Sequence, residues 1–392
     1  MRSKIKNISF SKVSLAGNES EYIKEVLESG WLTTSSKALR FEELFAAYVG
    51  AKYACAVNSC TSALHLAVEA IGIKKGDKVL VPSLTFTATA EVLRYMEADP
   101  VFTDVDYGTG LISPTLLKEA LKNHNNIKAL ILVHYGGQAP VMKTPEGEGI
   151  LDICQKKHVH LIEDAAHAFP SKFQNHFIGS FGEVTCFSFY ANKTITTGEG
   201  GMLVSNIEAI YNRVKIMRLH GINRDIWARF TDSKSSWEYD VIAPGYKYNM
   251  PDINAAIGLA QLEKAEYFRT QRQRCASFYF HELKNIPTID LPVCTVPMEY
   301  HSWHLFPIII RPESVVSRNE FMQRMAKEGI GTSVHYKPLH RMTYYKETYN
   351  LNPADFPNTE KIWNGTVSLP IYPDLKDHEL EYICRTIKRI LL

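Results

Sequence analysis

HVHLIEDAAHAFPSKFQNHFIGSFGEVTCFSFYANKTITTGEGGMLVSN (158–206) holds three short apolar runs: HVHLIED (158–164), EVTCFSF (183–189) and GGMLVSN (200–206). Each has the length of a strand, and none shows the strict alternation of a half-solvated one. Such runs fit strands covered on both faces of a parallel sheet. Outward towards the N-terminus the signature repeats at KYACAVNS (52–59), DKVLVPS (77–83), DPVFTDVD (99–106) and IKALILVHY (127–135), with amphipathic segments between most of them. After Ser59, the residues Leu64, Ala67, Val68 and Ile71 fall at i, i+3, i+4 and i+7, the spacing of one buried helical face. Strands alternating with crossover helices predict an α/β fold, a mostly parallel central sheet flanked by helices.

Towards the C-terminus the pattern changes. Residues 207–245 are less regular, and PGYKYNMPDINAAIGLAQL (244–262) opens a helical pattern running to about residue 285. HSWHLFPIII (301–310) reads as a strand, RNEFMQRMAKEG (318–329) as a helix, and a terminal helix starts near Asp377. A chain of 392 residues exceeds one ordinary core. The predicted division is an N-terminal segment (1–22), a large α/β domain (23–255) and a smaller α+β domain (256–392).

Apolar residues at 45% and charged residues at 22% match a globular protein, and a net charge of +2 gives no global field for nucleic acid. An anionic ligand would need a local site. The seven cysteines include no CxxC pair, the start of the chain lacks a signal-like apolar stretch, and nowhere do about 18 apolar residues run together. The expectation is a cytoplasmic protein with no membrane or nucleic-acid partner. No residue set has metal-ligand spacing, and neither GxxxxGK[ST] nor GxGxxG occurs.

Ligands of open parallel sheets bind beyond the carboxyl ends of the strands, which directs attention to the residues just after each run. Asp164 ends one strand, Lys193 follows another, and Asn58 to Ser62 follow a third. Lys193 is the only charge between Glu183 and Glu199, a setting that favours a neutral amine able to form an imine, although a lysine after a strand is also commonly a solvated one. Asp164 could pair with the nitrogen of a flat heterocycle and keep it protonated, or could cap a helix begun by DAAHA. Ser59, Thr61 and Ser62 open a helix whose free amides favour a phosphate, or simply cap it. Phe86 and His167 could border a flat ring from opposite faces, or fill the core.

Four ordered blocks, FEELFAAYVGAKYACAVNSCTSALHLA (41–67), LIEDAAHAFPSKFQNHFIGSFGEVTCFSFYANKTITTGEGG (161–201), GYKYNMPDINAAIGLAQLEK (245–264) and GIGTSVHYKPLH (329–340), closely resemble the DegT/DnrJ/EryC1/StrS family of sugar aminotransferases. The resemblance covers nearly the whole chain. It implies fold type I architecture and pyridoxal 5'-phosphate as cofactor, cycling through pyridoxamine 5'-phosphate. Lys193 would then hold the cofactor as a Schiff base, Asp164 would pair with its ring nitrogen, and Phe86 and His167 would border the ring. Cys60, Thr61 and Ser188 match phosphate-binding positions, and Asn249 matches an asparagine that reaches the neighbouring subunit's cofactor, so a homodimer with shared sites is implied. GYKYN, HSWHLF, GIGTSVHYKPLH and PNTE are most similar to the branch that aminates the 4-keto group of UDP-linked sugars, with departures at Phe86, a tryptophan there, and in SFYANK.

The implied reaction passes an amino group from L-glutamate to a keto nucleotide sugar, with Thr33, His335 and Tyr336 as sugar contacts and Lys247 and Arg224 as partners of a pyrophosphate. A 3-keto nucleotide sugar or a cyclitol ketone is the alternative acceptor, and a noncatalytic cofactor-binding regulator is the alternative role.

Overall fold

The computed structural model describes residues 7–223 and 239–392. Each of the seven apolar runs contains a strand: β1 (Tyr53–Val57), β2 (Lys78–Pro82), β3 (Asp99–Thr103), β4 (Ile127–Val133), β5 (His160–Asp164), β8 (Val184–Ser188) and β9 (Gly201–Ser205). They form one sheet in the order β1-β9-β8-β5-β4-β2-β3. Between β5 and β8 the short strands β6 (Lys172–Phe173) and β7 (His176–Phe177) make a separate hairpin.

The strands pair in parallel except for β9, which runs antiparallel to both β1 and β8. The cause is the connection. No helix separates β8 from β9, and a strand that returns without a crossover must run back against its predecessor. The connection is the loop that carries Lys193.

Side chains along each strand alternate between two apolar layers, as a pleated backbone requires. Ala54, Ala56, Leu80, Leu130 and Leu132 enter one layer; Cys55, Val57, Val79, Val81 and Ile131 enter the other. The second layer is closed by helix Cys60–Ile71, whose residues Ser62 to Val68 are all buried and which ends on Gly72 at φ 84. That left-handed turn returns the Gly72 amide to the Glu69 and Val68 carbonyls.

A second, antiparallel sheet contains β10 (Ile289–Asp290), β11 (Phe306–Ile310) and β12 (Thr366–Leu369) in that order. Its core draws on helices Ala265–Leu283, Arg318–Lys327 and Asp377–Leu391, and on Ile8 from the start of the chain. Ile8 is held there by amide bonds of 2.7 Å to the Gly329 carbonyl and 2.8 Å from the Gly331 amide.

Three expectations need correction. The helical pattern from 251 to 285 is two helices, Asp252–Leu262 and Ala265–Leu283, because Lys264 leaves the helical region (φ -108, ψ 7) and its amine turns to Glu19. Only Phe306–Ile310 of HSWHLFPIII is a strand. Trp303 sits at φ 51, and Ser302 and Leu305 give their amides to Gly137 and Gly136 instead of to a sheet. The span read as less regular contains a regular helix, Glu208–Met217. Among the described residues no helix is long and apolar enough to cross a membrane.

Candidate active site

One cavity of about 440 Å³ lies at the carboxyl ends of the large sheet, and nine of the sequence-predicted residues line it: Cys60, Thr61, Phe86, Asp164, His167, Ser188, Lys193, His335 and Tyr336.

Asp164 is the last residue of β5 and is buried. No helix follows it, so it is not the cap of one. Its Oδ1 accepts the Ala166 amide at 3.1 Å, and its Oδ2 accepts the Thr89 hydroxyl at 2.8 Å. Thr89 in turn lies 2.7 Å from the Thr85 hydroxyl. Burial pushes the carboxyl up, against those two hydrogen bonds and the charges of Lys193 and His134.

Lys193 projects from the β8–β9 loop, which is stapled by amide bonds of 2.9 Å from Phe189 to Gly200 and from Thr197 to Phe189. Burial lowers its amine to about 8, opposed by the Cys60 thiol and the Asp164 carboxylate. A lysine held this low is half free base near pH 8, where an amine at its ordinary value would be almost wholly protonated and unable to act as a nucleophile.

The same burial makes a stability prediction. An amine at 10.5 in the unfolded chain and about 8 in the folded one takes up more protons unfolded, so stability rises with pH between those values and is lowered by a constant amount beneath them. The cost is about 3 kcal/mol. Apoprotein carrying Lys193→Met is expected to melt higher than wild-type apoprotein at pH 7, with the gap closing towards pH 10.5. Equal melting curves across that range would show that the amine is not desolvated.

His167 is fixed in one tautomer. Its Nδ1 accepts the Gly136 amide at 3.3 Å, so in the neutral ring Nε2 carries the proton and donates to the Tyr336 hydroxyl at 2.8 Å. Burial, together with the charges of Lys193 and His335, holds this imidazole well below its usual range. The rings of Phe86 and Tyr336 stand 5.9 Å apart at the cavity wall.

The third side is the first turn of helix Cys60–Ile71. Ser59 does cap it, accepting the Ser62 amide at 3.0 Å, and the amides of Cys60 and Thr61 have no acceptor among the described residues. The turn therefore caps itself and still presents donors to the cavity, beside Ser188 at the end of β8.

Three predicted contacts are not brought into this cavity. Asn249 bridges the end of β1, accepts the Lys247 amine at 2.6 Å and donates to the Thr34 hydroxyl at 2.7 Å, while Thr33 is exposed nearby. Arg224 lies outside the described residues. Sequence reading also missed Thr85, Tyr190, Asn192 and Glu199, which line the cavity, and Thr89, which braces Asp164. Their only signal was adjacency to Phe86 or Lys193.

A flat, phosphorylated aldehyde fits these residues. Its carbonyl needs a free amine, its ring nitrogen a buried carboxylate, and its phosphate unsatisfied amides, and all three line one space. The buried Oδ1 of Asn192 on the same wall has no partner, so a donor can still be accepted there.

Residues 14–388 match the DegT/DnrJ/EryC1/StrS aminotransferase family. The spore coat polysaccharide biosynthesis protein SpsC of Bacillus subtilis is 38% identical over 384 residues, 97% of this chain and 96% of SpsC. Among solved structures, PseC of Helicobacter pylori, an aminotransferase involved in the biosynthesis of pseudoaminic acid, superposes with a TM-score of 0.88 at 28% identity over 98% of this chain and 99% of PseC. Spr1654 of Streptococcus pneumoniae, described as a sugar aminotransferase, gives 0.87 at 29% in its PMP form, over 98% of this chain and 97% of that one. Its PLP form gives 0.87 at 28%.

Proposed function

The chain belongs to the DegT/DnrJ/EryC1/StrS aminotransferase family, and from that premise we propose that it moves an amino group from L-glutamate to the C4 keto group of a UDP-linked sugar, in the cytoplasm, for cell-surface polysaccharide synthesis. It is a pyridoxal phosphate-dependent sugar aminotransferase of fold type I. The observation that carries the proposal is the cavity shared by Lys193, from the β8–β9 loop, and Asp164, from the end of β5.

When bound, pyridoxal phosphate supplies a carbonyl that captures an amino group and a ring that takes up the charge left on the neighbouring carbon. Lys193 would hold the cofactor through its amine and, when that amine is free, would be the base that moves a proton at the substrate carbon. Asp164, braced by Thr89 and the Ala166 amide, holds a proton on the ring nitrogen. His167 and Phe86 bound the ring, and the Cys60 and Thr61 amides with Ser188 bind the phosphate. His335 and Tyr336 face the incoming sugar. Thr33, Lys247 and Asn249, off the chain's own cavity, serve the neighbouring site of a homodimer, and Arg224 is assigned to the pyrophosphate. The proposed division is an N-terminal segment at 1–22, the large domain at 23–255 and the smaller one at 256–392.

Half-reactions test this reading. Protein loaded with pyridoxal phosphate should release 2-oxoglutarate from L-glutamate and then regain its original absorption band on addition of a UDP-linked 4-keto sugar. Recovery only with a 3-keto nucleotide sugar would move the position of amination. Recovery only with scyllo-inosose would remove the nucleotide altogether, and no 2-oxoglutarate at all would leave a regulator.

A further inference from the structure

Ser83, immediately after β2, is closed to solvent and outside the cavity lining. Its hydroxyl lies 2.6 Å from His340 Nδ1, and the opposite nitrogen of that buried ring, Nε2, lies 2.6 Å from Glu360 Oε1. A carboxylate only accepts, so Nε2 carries the ring proton, Nδ1 accepts, and the Ser83 hydroxyl donates to it. The Ser83 carbonyl takes the Leu339 amide at 2.9 Å, and the His340 ring stacks on Phe356 with centroids 4.4 Å apart. Glu360 also takes Arg341 Nε at 2.6 Å. It sits in the first turn of helix Pro357–Gly365, whose Asn358 and Thr359 amides bond to Asp104, just after β3, at 2.9 and 2.8 Å.

Serine, histidine and a carboxylate are the residue types of a hydrolytic triad. Here no substrate reaches the serine or the histidine, since both are fully buried. What the chain does hold is two loops. Ser83 leads into Thr85 and Phe86, and His340 follows His335 and Tyr336, all four on the cavity wall. Tyr336 then holds His167 at 2.8 Å.

We infer that Ser83, His340 and Glu360 form a positioning relay that sets the gap between Phe86 and Tyr336, and through Tyr336 the orientation of His167. The inference rests on the proposed function for what occupies that gap, but its geometry does not. Buried polar chains of this kind act as a unit, so cutting one link should release both loops.

The test is titration of wild-type, Ser83→Ala and Glu360→Gln apoprotein with pyridoxal phosphate, followed by absorbance, alongside deuterium exchange of the ligand-free chains. Each substitution is expected to raise the dissociation constant about tenfold, and the double variant should be little worse than either single one. Exchange should quicken at the Thr89 and Leu339 amides, which bond to the Phe86 and Ser83 carbonyls, but not in the central strands. Tyr279→Phe, which removes a buried hydroxyl 2.7 Å from the Pro370 carbonyl in the second core, is the control: it should lower the melting temperature and leave affinity unchanged.

Folded Ser83→Ala with wild-type affinity and wild-type exchange overturns the relay, and so does an affinity loss matched by Tyr279→Phe. Should Glu360→Gln not fold, Ser83→Ala decides. Should wild-type protein fail to bind pyridoxal phosphate, the proposed function falls, and the exchange arm alone decides the relay: unchanged protection at Thr89 and Leu339 in Ser83→Ala rejects it.

Discussion

Replacement of Lys193 by alanine is expected to lower turnover by about 10⁴-fold or more, because one side chain serves as both anchor and proton carrier. Neither His167 nor His335 can replace it. His167 on the cavity wall has both ring nitrogens engaged, Nδ1 by the Gly136 amide and Nε2 by Tyr336, and burial keeps it from gaining a proton. His335 Nδ1 lies 2.9 Å from the Ser368 hydroxyl, and burial lowers that imidazole to about 4. Borohydride treatment followed by denaturation should leave pyridoxal phosphate attached to the wild-type chain and release it from Lys193→Ala. Attachment that survives the substitution would assign the anchoring amine to another lysine.

The second large effect is expected at Asp164. Asparagine keeps its size and one oxygen for the Ala166 amide, and Thr89 can turn its hydroxyl to accept, since Thr85 lies 2.7 Å away to take the proton. What changes is the charge. Asp164→Asn should bind the cofactor, melt near the wild-type temperature, and turn over on the order of 10³-fold more slowly, the size of loss seen when one preorganised electrostatic group is removed from an active site. A further mark follows from Lys193. The Asp164 carboxylate raises that amine, so removing it should let the amine deprotonate at lower pH, and the pH at which apoprotein captures pyridoxal phosphate half-maximally should move down from about 8. An upward move, or turnover within tenfold of wild type, would show that this carboxylate does not face the ring.

Legibility in the sequence followed burial. The seven strands could be read because a sheet covered on both faces demands uninterrupted apolar residues, and Asp164 and Lys193 could be singled out because one ends such a run and the other comes soon after one, while Ser188 came from the family resemblance alone. The Thr85–Thr89–Asp164 brace and the Ser83–His340–Glu360 chain could not, since each joins residues whose partners lie up to 257 positions away and whose types are common in loops. Lys247 and Asn249 show the limit of a motif. GYKYN was recognisable, but that its polar side chains pair with each other and with Thr34, off the cavity, is decided by the bridge between Val57 and Asn249. HSWHLF misled for a different reason: its alternation mimics a strand, while its backbone docks on Gly136 and Gly137.

The reversed strand also dictates an order of assembly. Within the sheet β1 touches only β9, so residue 53 waits for residue 205 before it has a neighbour to bond with. On a ribosome the middle of the sheet can condense while its first strand hangs unmatched, and the turn at Cys60 and Thr61 comes to rest only when the hairpin bearing Lys193 has folded back. The amine and the anion cradle are thus late arrivals together, and a nascent chain stalled before that hairpin would have a half-built sheet with nowhere to hold a vitamin.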